Sequence, residues 1–285
     1  MGRALASGTA RRRLSRLQPT RPGAFPRIAS RAAALASLML AVASIPLGAQ
    51  ARAKVPWVAG EHLEYTVKLA GINSGNGIME VTGPDTTRGR AVWRLHFNIK
   101  GSTPLGLYHV DDSYDSWMDV ETLNSLRFEQ HLHEGGGSKV RIYDIFPSRS
   151  MFHQEGKEER RSVPDPLDDA SFFFFVRTLP LDVGKVYRFD RYFDPNANPV
   201  VITVVRKDTI ETAAGRFPAI VLQPTIKTNG LFSEDGHAEI WLSDDDRRIL
   251  LRMKTHFSII SLDLQLRSVT YGATSPGRLP DRRKP

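Results

Sequence analysis

The chain has 285 residues, with 39 Lys+Arg against 31 Asp+Glu and a formal net charge of +8. Nine of the basic residues are arginines within residues 1–53, a stretch without acidic side chains, which leaves 30 basic and 31 acidic groups for residues 54–285. A nearly neutral body excludes the basic surface of a nucleic-acid-binding protein, and the absence of cysteine excludes a disulfide framework, a structural Cys zinc site and a thiol nucleophile.

The first 53 residues have the order of a secretory signal. An Arg-rich stretch precedes the apolar run AAALASLMLAVASIPL, residues 32–47, and the small-x-small sites Ala49-Gln50-Ala51 and Ala51-Arg52-Ala53 follow it. The run is shorter than the roughly 20 residues that span a bilayer, and Pro46 interrupts it. An exported, periplasmic chain is expected, cleaved near residue 53, with an uncleaved anchor as the alternative. Residues 54–274 then form a single domain, and 275–285 a basic, disordered tail.

Period-two alternation dominates the domain. In 62–69, Leu63, Tyr65, Val67 and Leu69 share one face; in 91–100, Ala91, Trp93, Leu95, Phe97 and Ile99 do the same. Ile260, Leu262, Leu264 and Leu266 repeat the pattern. Each predicts a half-buried antiparallel strand. Residues 200–205 are apolar on both faces and read as a central strand. Turns are expected at 71–77 (GINSGNG), 135–137, 212–216 and 243–247. One helix is predicted over 165–177, with Asp165 as N-cap, Pro166 at the first helical position, and Asp168 and Asp169 in the first turn. Its Phe172–Phe175 run covers every face, so the helix must be almost enveloped. The fold class is mainly β: a curved antiparallel sheet or incomplete β-barrel with one short Phe-rich helix on its concave side.

Two segments echo each other. Gly106-Leu107-Tyr108 precedes Trp117, and Gly230-Leu231-Phe232 precedes Trp241 at the same interval, with Leu126-Arg127-Phe128 and Leu251-Arg252-Met253 downstream. A duplicated strand–loop–hairpin unit and chance similarity between two hairpins both explain this.

Chemical motifs are sparse. No G-x-S-x-G elbow, H-E-x-x-H, P-loop or EF-hand loop occurs. Glu129, His131 and His133 share a strand face, but nothing nominates further ligands, so no metal and no cofactor is expected. In 108–119, alternation puts Tyr108, Val110, Asp112, Tyr114, Ser116 and Met118 together. If that face is buried, Asp112 is a carboxylate among aromatics that orients a ligand, acts as an acid, or pairs structurally with Arg127. The candidate binding residues are Tyr108, Asp112, Tyr114, Arg127, Phe172 and Phe175; none is nominated as catalytic. The apolar tips 104–107 and 230–232 could contact a bilayer, cap a cavity or tuck into the core.

Several motifs run in one order: Gly60-Glu61-His62-Leu63-Glu64-Tyr65, Asp112-x3-Ser116-Trp117-x-Asp119, Leu126-Arg127-Phe128-Glu129, Asp165-Pro166-Leu167-Asp168 leading to Arg177-Thr178-Leu179-Pro180-Leu181, and Ile240-Trp241-Leu242-Ser243-Asp244-Asp245. Together they resemble the domain-of-unknown-function 3108 family of exported bacterial proteins over roughly residues 57–270. The resemblance implies an envelope location and a β-rich fold, and brings no established activity. The W-x-D hairpins are also similar to those of periplasmic lipoprotein carriers, whose half-barrels hold acyl chains around a helix plug. The expected function is a non-enzymatic binding or carrier module for an amphiphile such as a lipid or lipoprotein. The alternatives are an envelope scaffold that binds another protein and, behind both, a hydrolase. A monomer with peripheral membrane contact is expected, with no nucleic-acid partner.

Overall fold

Alternating burial, with few exceptions, builds one sheet. The computed structural model describes residues 53–103, 106, 108–134, 136–226, 238–257 and 260–272. The leader, the apolar tips 104–105, 107 and 230–232, and the 275–285 tail lie outside them. The described residues all belong to a unit spanning 49–285. Fourteen strands are connected in order: β1 (Glu61–Leu69), β2 (Ile72–Thr87), β3 (Arg90–Ser102), β4 (His109–Asp119), β5 (Ser125–Glu134), β6 (Gly137–Phe146), β7 (Met151–Gln154) and β8 (Glu159–Arg161), then helix α1 (Asp169–Arg177), then β9 (Val186–Phe189), β10 (Val200–Thr212), β11 (Gly215–Thr225), β12 (Glu239–Ser243), β13 (Leu250–Phe257) and β14 (Ile260–Thr270).

The sheet order is β8-β7-β6-β5-β4-β3-β2-β1-β14-β13-β12-β11-β10-β9, antiparallel throughout and not closed into a barrel. Two meanders therefore meet along β1 and β14, which pair from His62↔Thr270 to Leu69↔Leu262. Both free edges, β8 and β9, flank the helix in sequence. In β1 the residues Leu63, Tyr65, Val67 and Leu69 are buried while their neighbours are half exposed, as the alternation requires.

Three local expectations are corrected. The 71–77 glycine segment is not all turn: the β1–β2 turn is Ala70-Gly71, and Gly75 and Gly77 lie within β2. Gly75 is demanded by close approach, because a Cβ there would lie 1.9 Å from the Lys100 carbonyl oxygen. β10 is paired on both sides, between β11 and the four-residue edge strand β9, but only one of its faces is buried in its first half, at Val200, Ile202 and Val204. The helix begins three residues later than its acidic start suggests. Asp168, rather than Asp165, is the N-cap, and Pro166 lies before the helix, its carbonyl accepting the Ser125 N–H at 2.8 Å.

The Trp117 and Trp241 hairpins share a local construction. The Trp117 ring is flanked by the Arg94 and Arg127 guanidinium groups at 4.9 and 5.6 Å, and the Trp241 ring by those of Arg206 and Arg252 at 5.9 and 5.1 Å. A register shift follows each tryptophan, and a non-glycine residue at positive φ closes each turn: Leu123 at 58° and Arg248 at 49°. Corresponding backbone bonds, Asp119 N–H to the Asn124 carbonyl and Ser243 N–H to the Ile249 carbonyl, both measure 2.9 Å.

Candidate functional site

Helix α1 lies across the inner face of the sheet, and its two ends are tied by polar side chains. At the N-terminus, Asp168 accepts from the Ser171 N–H at 2.8 Å, while Ser171 Oγ takes the Asp168 N–H at 2.7 Å, forming a reciprocal cap. Ser116 Oγ of β4 donates to the other Asp168 oxygen at 2.6 Å, and Ser125 Oγ of β5 sits 2.8 Å from Ser171 Oγ. All four side chains are buried. Burial pushes the Asp168 carboxyl up to about 6, against the lowering effect of its serine and backbone donors.

At the C-terminus, the Arg177 guanidinium grips the Glu61 carboxylate with two bonds of 2.7 and 3.0 Å and donates to the Arg247 carbonyl at 2.9 Å. Both charged side chains are at most 2% exposed, and Arg177 also lies against the rings of Trp57 and Phe174. A charge pair this deep is tolerable because each partner satisfies the other. Neither this clamp nor the serine set was singled out from sequence. The signal was present, since Glu61, Ser116, Asp168 and Arg177 all stand in the collinear motifs.

Between these ties, the helix borders a small cleft of about 30 Å³ that opens to solvent. Phe172, Phe173 and Val176 form one wall; Val200, Ile202 and Ile240 face them from β10 and β12. Among the described lining residues, Asp169 alone is ionisable. Its Oδ1 accepts from Tyr192 Oη and its Oδ2 from Gln130 Nε2, both at 2.9 Å, and Arg141 Nη1 donates in turn to Gln130 Oε1 at 3.2 Å. Burial is the main reason its carboxyl is pushed up to about 6, and the neighbouring Asp168 adds to the rise.

The residues picked from sequence divide between two faces. Tyr114, Phe172 and Phe175 meet the core: Tyr114 stacks on Phe97, which contacts Phe173, while Phe172 and Phe175 meet edge to face at 6.3 Å. Of these, Phe172 lines the cleft. Phe175 sits beneath Phe189 and the Arg191 guanidinium. Tyr108 is partly buried against the core. Asp112 is buried as expected and accepts the His133 N–H at 2.8 Å.

Arg127 does not pair with Asp112. It lies six residues before His133 on β5, roughly 20 Å away along an extended strand. It also faces outward, bonded to Glu129 at 2.7 Å and Asp144 at 3.3 Å. Glu129 and His131 approach to 3.8 Å on that outer face, and His133 Nδ1 lies 3.2 Å from the Asp111 carbonyl oxygen. Among the described residues, no group of three or more His, Asp or Glu is arranged to hold a metal.

The family whose description reads "Protein of unknown function (DUF3108)" matches residues 64–266. The chain belongs to that family. No curated protein matches the sequence. Among solved structures, the chain is similar to a β-barrel-like protein of domain of unknown function DUF1849 from Brucella abortus, at 8% identity and a TM-score of 0.54, covering 76% of this chain and 99% of that one. A DUF1089-family protein from Pseudomonas aeruginosa aligns at 9% identity and a TM-score of 0.35, covering 61% and 87%. The first likeness shows a barrel-like β fold; the second carries no weight. For this DUF3108 protein, the family motifs converge on the two ties that seat α1 over the cleft. Among the described residues, no helix is long and apolar enough to cross a membrane.

Proposed function

We propose that the protein is an exported, non-enzymatic binding or carrier module of the cell envelope, and that its cleft beneath α1 takes the hydrocarbon chain of an amphiphile. The carrying observation is the lining of the cleft: around a free space of about 30 Å³, every described lining residue except Asp169 is apolar. An unfilled apolar surface costs free energy in water, so an occupant is favoured in proportion to the area it covers. The leader supports export, as its charge and apolar run have the form of a secretory signal. The Asp112 carboxylate, the first candidate for an acid, is engaged by a backbone N–H, which suits a structural role.

Native mass spectrometry of the mature protein, followed by solvent extraction, tests this reading. A co-purifying single-chain lipid is expected, lost when Ile240→Trp fills the cleft. A ligand-free protein that also ignores added long-chain alcohol would refute it.

A second reading, a scaffold that binds another envelope protein, draws on the free edge at β9, where Val183 and Val186 are 51% and 57% exposed. In-cell crosslinking from position 186 to one dominant protein would favour it over the carrier.

A further inference from the structure

The outer face of the sheet holds a groove with far more free space than the cleft beside α1, about 390 Å³ against about 30 Å³. It is lined by His109, Asp111 and Ser113 of β4, His131 and His133 of β5, and Ser138 of β6. Strand pairing is interrupted there. β4 and β5 pair at Val110↔Glu134 and again at Ser113↔His131, with a break at the two positions between. In the break, the His133 N–H donates to the buried Asp112 carboxylate at 2.8 Å, and His133 Nδ1 lies 3.2 Å from the Asp111 carbonyl oxygen. A backbone donor and a backbone acceptor have each taken a side chain in place of a strand partner. Since a carbonyl only accepts, Nδ1 carries the proton, and Nε2 is the His133 nitrogen that gains one when the ring charges.

Several polar groups of the groove are unengaged. Among the described residues, the His109 ring and the Ser113 and Ser138 hydroxyls make no hydrogen bond to one another or to any neighbour, and the His131 ring meets only the Glu129 carboxylate, at 3.8 Å. The carboxylates on this face are already paired: Asp111 with Lys100 of β3 at 2.8 Å, Glu129 with Arg127 at 2.7 Å, and Asp115 with His96 at 2.9 Å. From β6, the uncharged Ser138 and Val140 stand opposite His133 and His131, and Asp112 adds one buried negative charge from behind. Histidine changes charge between about pH 5 and 8, so acid adds up to three positive charges to a surface whose ion pairs are closed.

We propose that this groove binds a phosphate group, with the charged imidazoles of His109, His131 and His133 and the hydroxyls of Ser113 and Ser138 as its donors. A phosphate carries acceptor oxygens on every side, which suits donors arriving from three adjacent strands; a planar carboxylate meets fewer of them. Charge-assisted hydrogen bonds are roughly twice as strong as neutral ones, so occupancy follows protonation of the rings. The free volume exceeds that of a bare phosphate and leaves room for a short ester beside it. A soluble phosphate ester and a lipid headgroup present the same group. The proposal stands apart from the carrier reading, since the groove and the cleft share no described lining residue.

The test follows the histidine side chains of the mature protein by NMR while glycerol 3-phosphate is added at pH 6 and at pH 8. Shifts at His131 and His133, with none at His62 on β1, are expected at pH 6. Affinity should fall by on the order of tenfold or more at pH 8, although the phosphate is more highly charged there. His131→Gln and His133→Gln, both at solvent-accessible positions, should each weaken binding by on the order of tenfold, while His62→Gln changes nothing. Retention on phosphatidylcholine vesicles supplemented with phosphatidic acid, lost in the same two variants, would assign the group to a lipid. Binding of glycerol 3-phosphate without retention on those vesicles would assign it to a soluble ester. No response of His131 and His133 to either source at pH 6, equal affinity at the two pH values, or binding unchanged in both variants would overturn the site.

Discussion

Replacing Arg177 by Met tests the tie that seats the C-terminus of α1. The substitution keeps much of the aliphatic volume against Trp57 and Phe174 but removes the fork that holds Glu61 at 2.7 and 3.0 Å. Because the Glu61 side chain is only 1% exposed, its carboxylate is left buried without its counter-charge. Breaking one side of such a pair costs about 3–5 kcal/mol, and the Arg247 carbonyl loses a donor worth about 1 kcal/mol more. For a domain of this size, that total corresponds to a fall in Tm on the order of 10 °C.

Urea unfolding of wild type, Glu61→Gln, Arg177→Met and the double variant completes a thermodynamic cycle. The double variant should recover about 2 kcal/mol or more relative to the sum of the singles, since no unpaired ion remains. A loss below about 1 kcal/mol, or strict additivity in the cycle, would refute this account of the clamp.

Three further outcomes follow from the structure. Phe174→Ala, at a side chain 1% exposed that meets Trp57 edge to face at 5.4 Å, should cost about 3–5 kcal/mol by denaturant titration. Gly75→Ala should lower stability by about 1–3 kcal/mol, because its Cβ would collide with the β3 backbone; a neutral Tm would show that the two strands part there at no cost. Stability should rise as the pH falls from 7 toward 5. Asp168 and Asp169 titrate near 6 when folded against an ordinary 3.8, so the folded state binds their protons more tightly. Their ionisation opposes folding fully above about 6 and not at all below the unfolded value. Glu64, held at about 2 by Ser268 and Arg267, acts in the opposite sense, and its contribution is lost from about pH 4.5 downward. Asp169→Asn should flatten the pH 5–7 slope, and thermal melts across pH would expose a profile that fails to respond.

Strands such as β1, β3 and β14 were legible because one face is buried and the other wet, a condition that writes itself as period two. β10 misled because Val201 and Val205 remain half exposed beside a short edge strand; apolar residues need not be interior. The helix start was misplaced for a related reason. Asp165-Pro166 carries the local signs of a cap, but Ser116 and Ser125, distant in sequence, make Asp168 the better one. The candidate site was half visible. Phe172 follows from composition alone, whereas the pairing of Asp169 with Gln130 and Tyr192 depends on contacts that no local pattern records. Arg127 was misassigned for lack of strand register, which decides both the face and the reach of a side chain.

The seam between β1 and β14 bears on how the protein must be made. Arg267 bonds to Glu64 across 203 residues of chain, so the pairing at the centre of the sheet joins the first strand of the domain to its last. A chain emerging N-terminus first can build the meander from β1 to β8 as it appears, yet β1 stays unpaired on one side until β14 arrives. Late closure of so long a loop predicts slow folding and leaves an open strand edge in every unfinished chain. An unfinished domain would therefore offer β1 to whatever strand comes first, so truncated chains should swap strands or aggregate where complete ones do not.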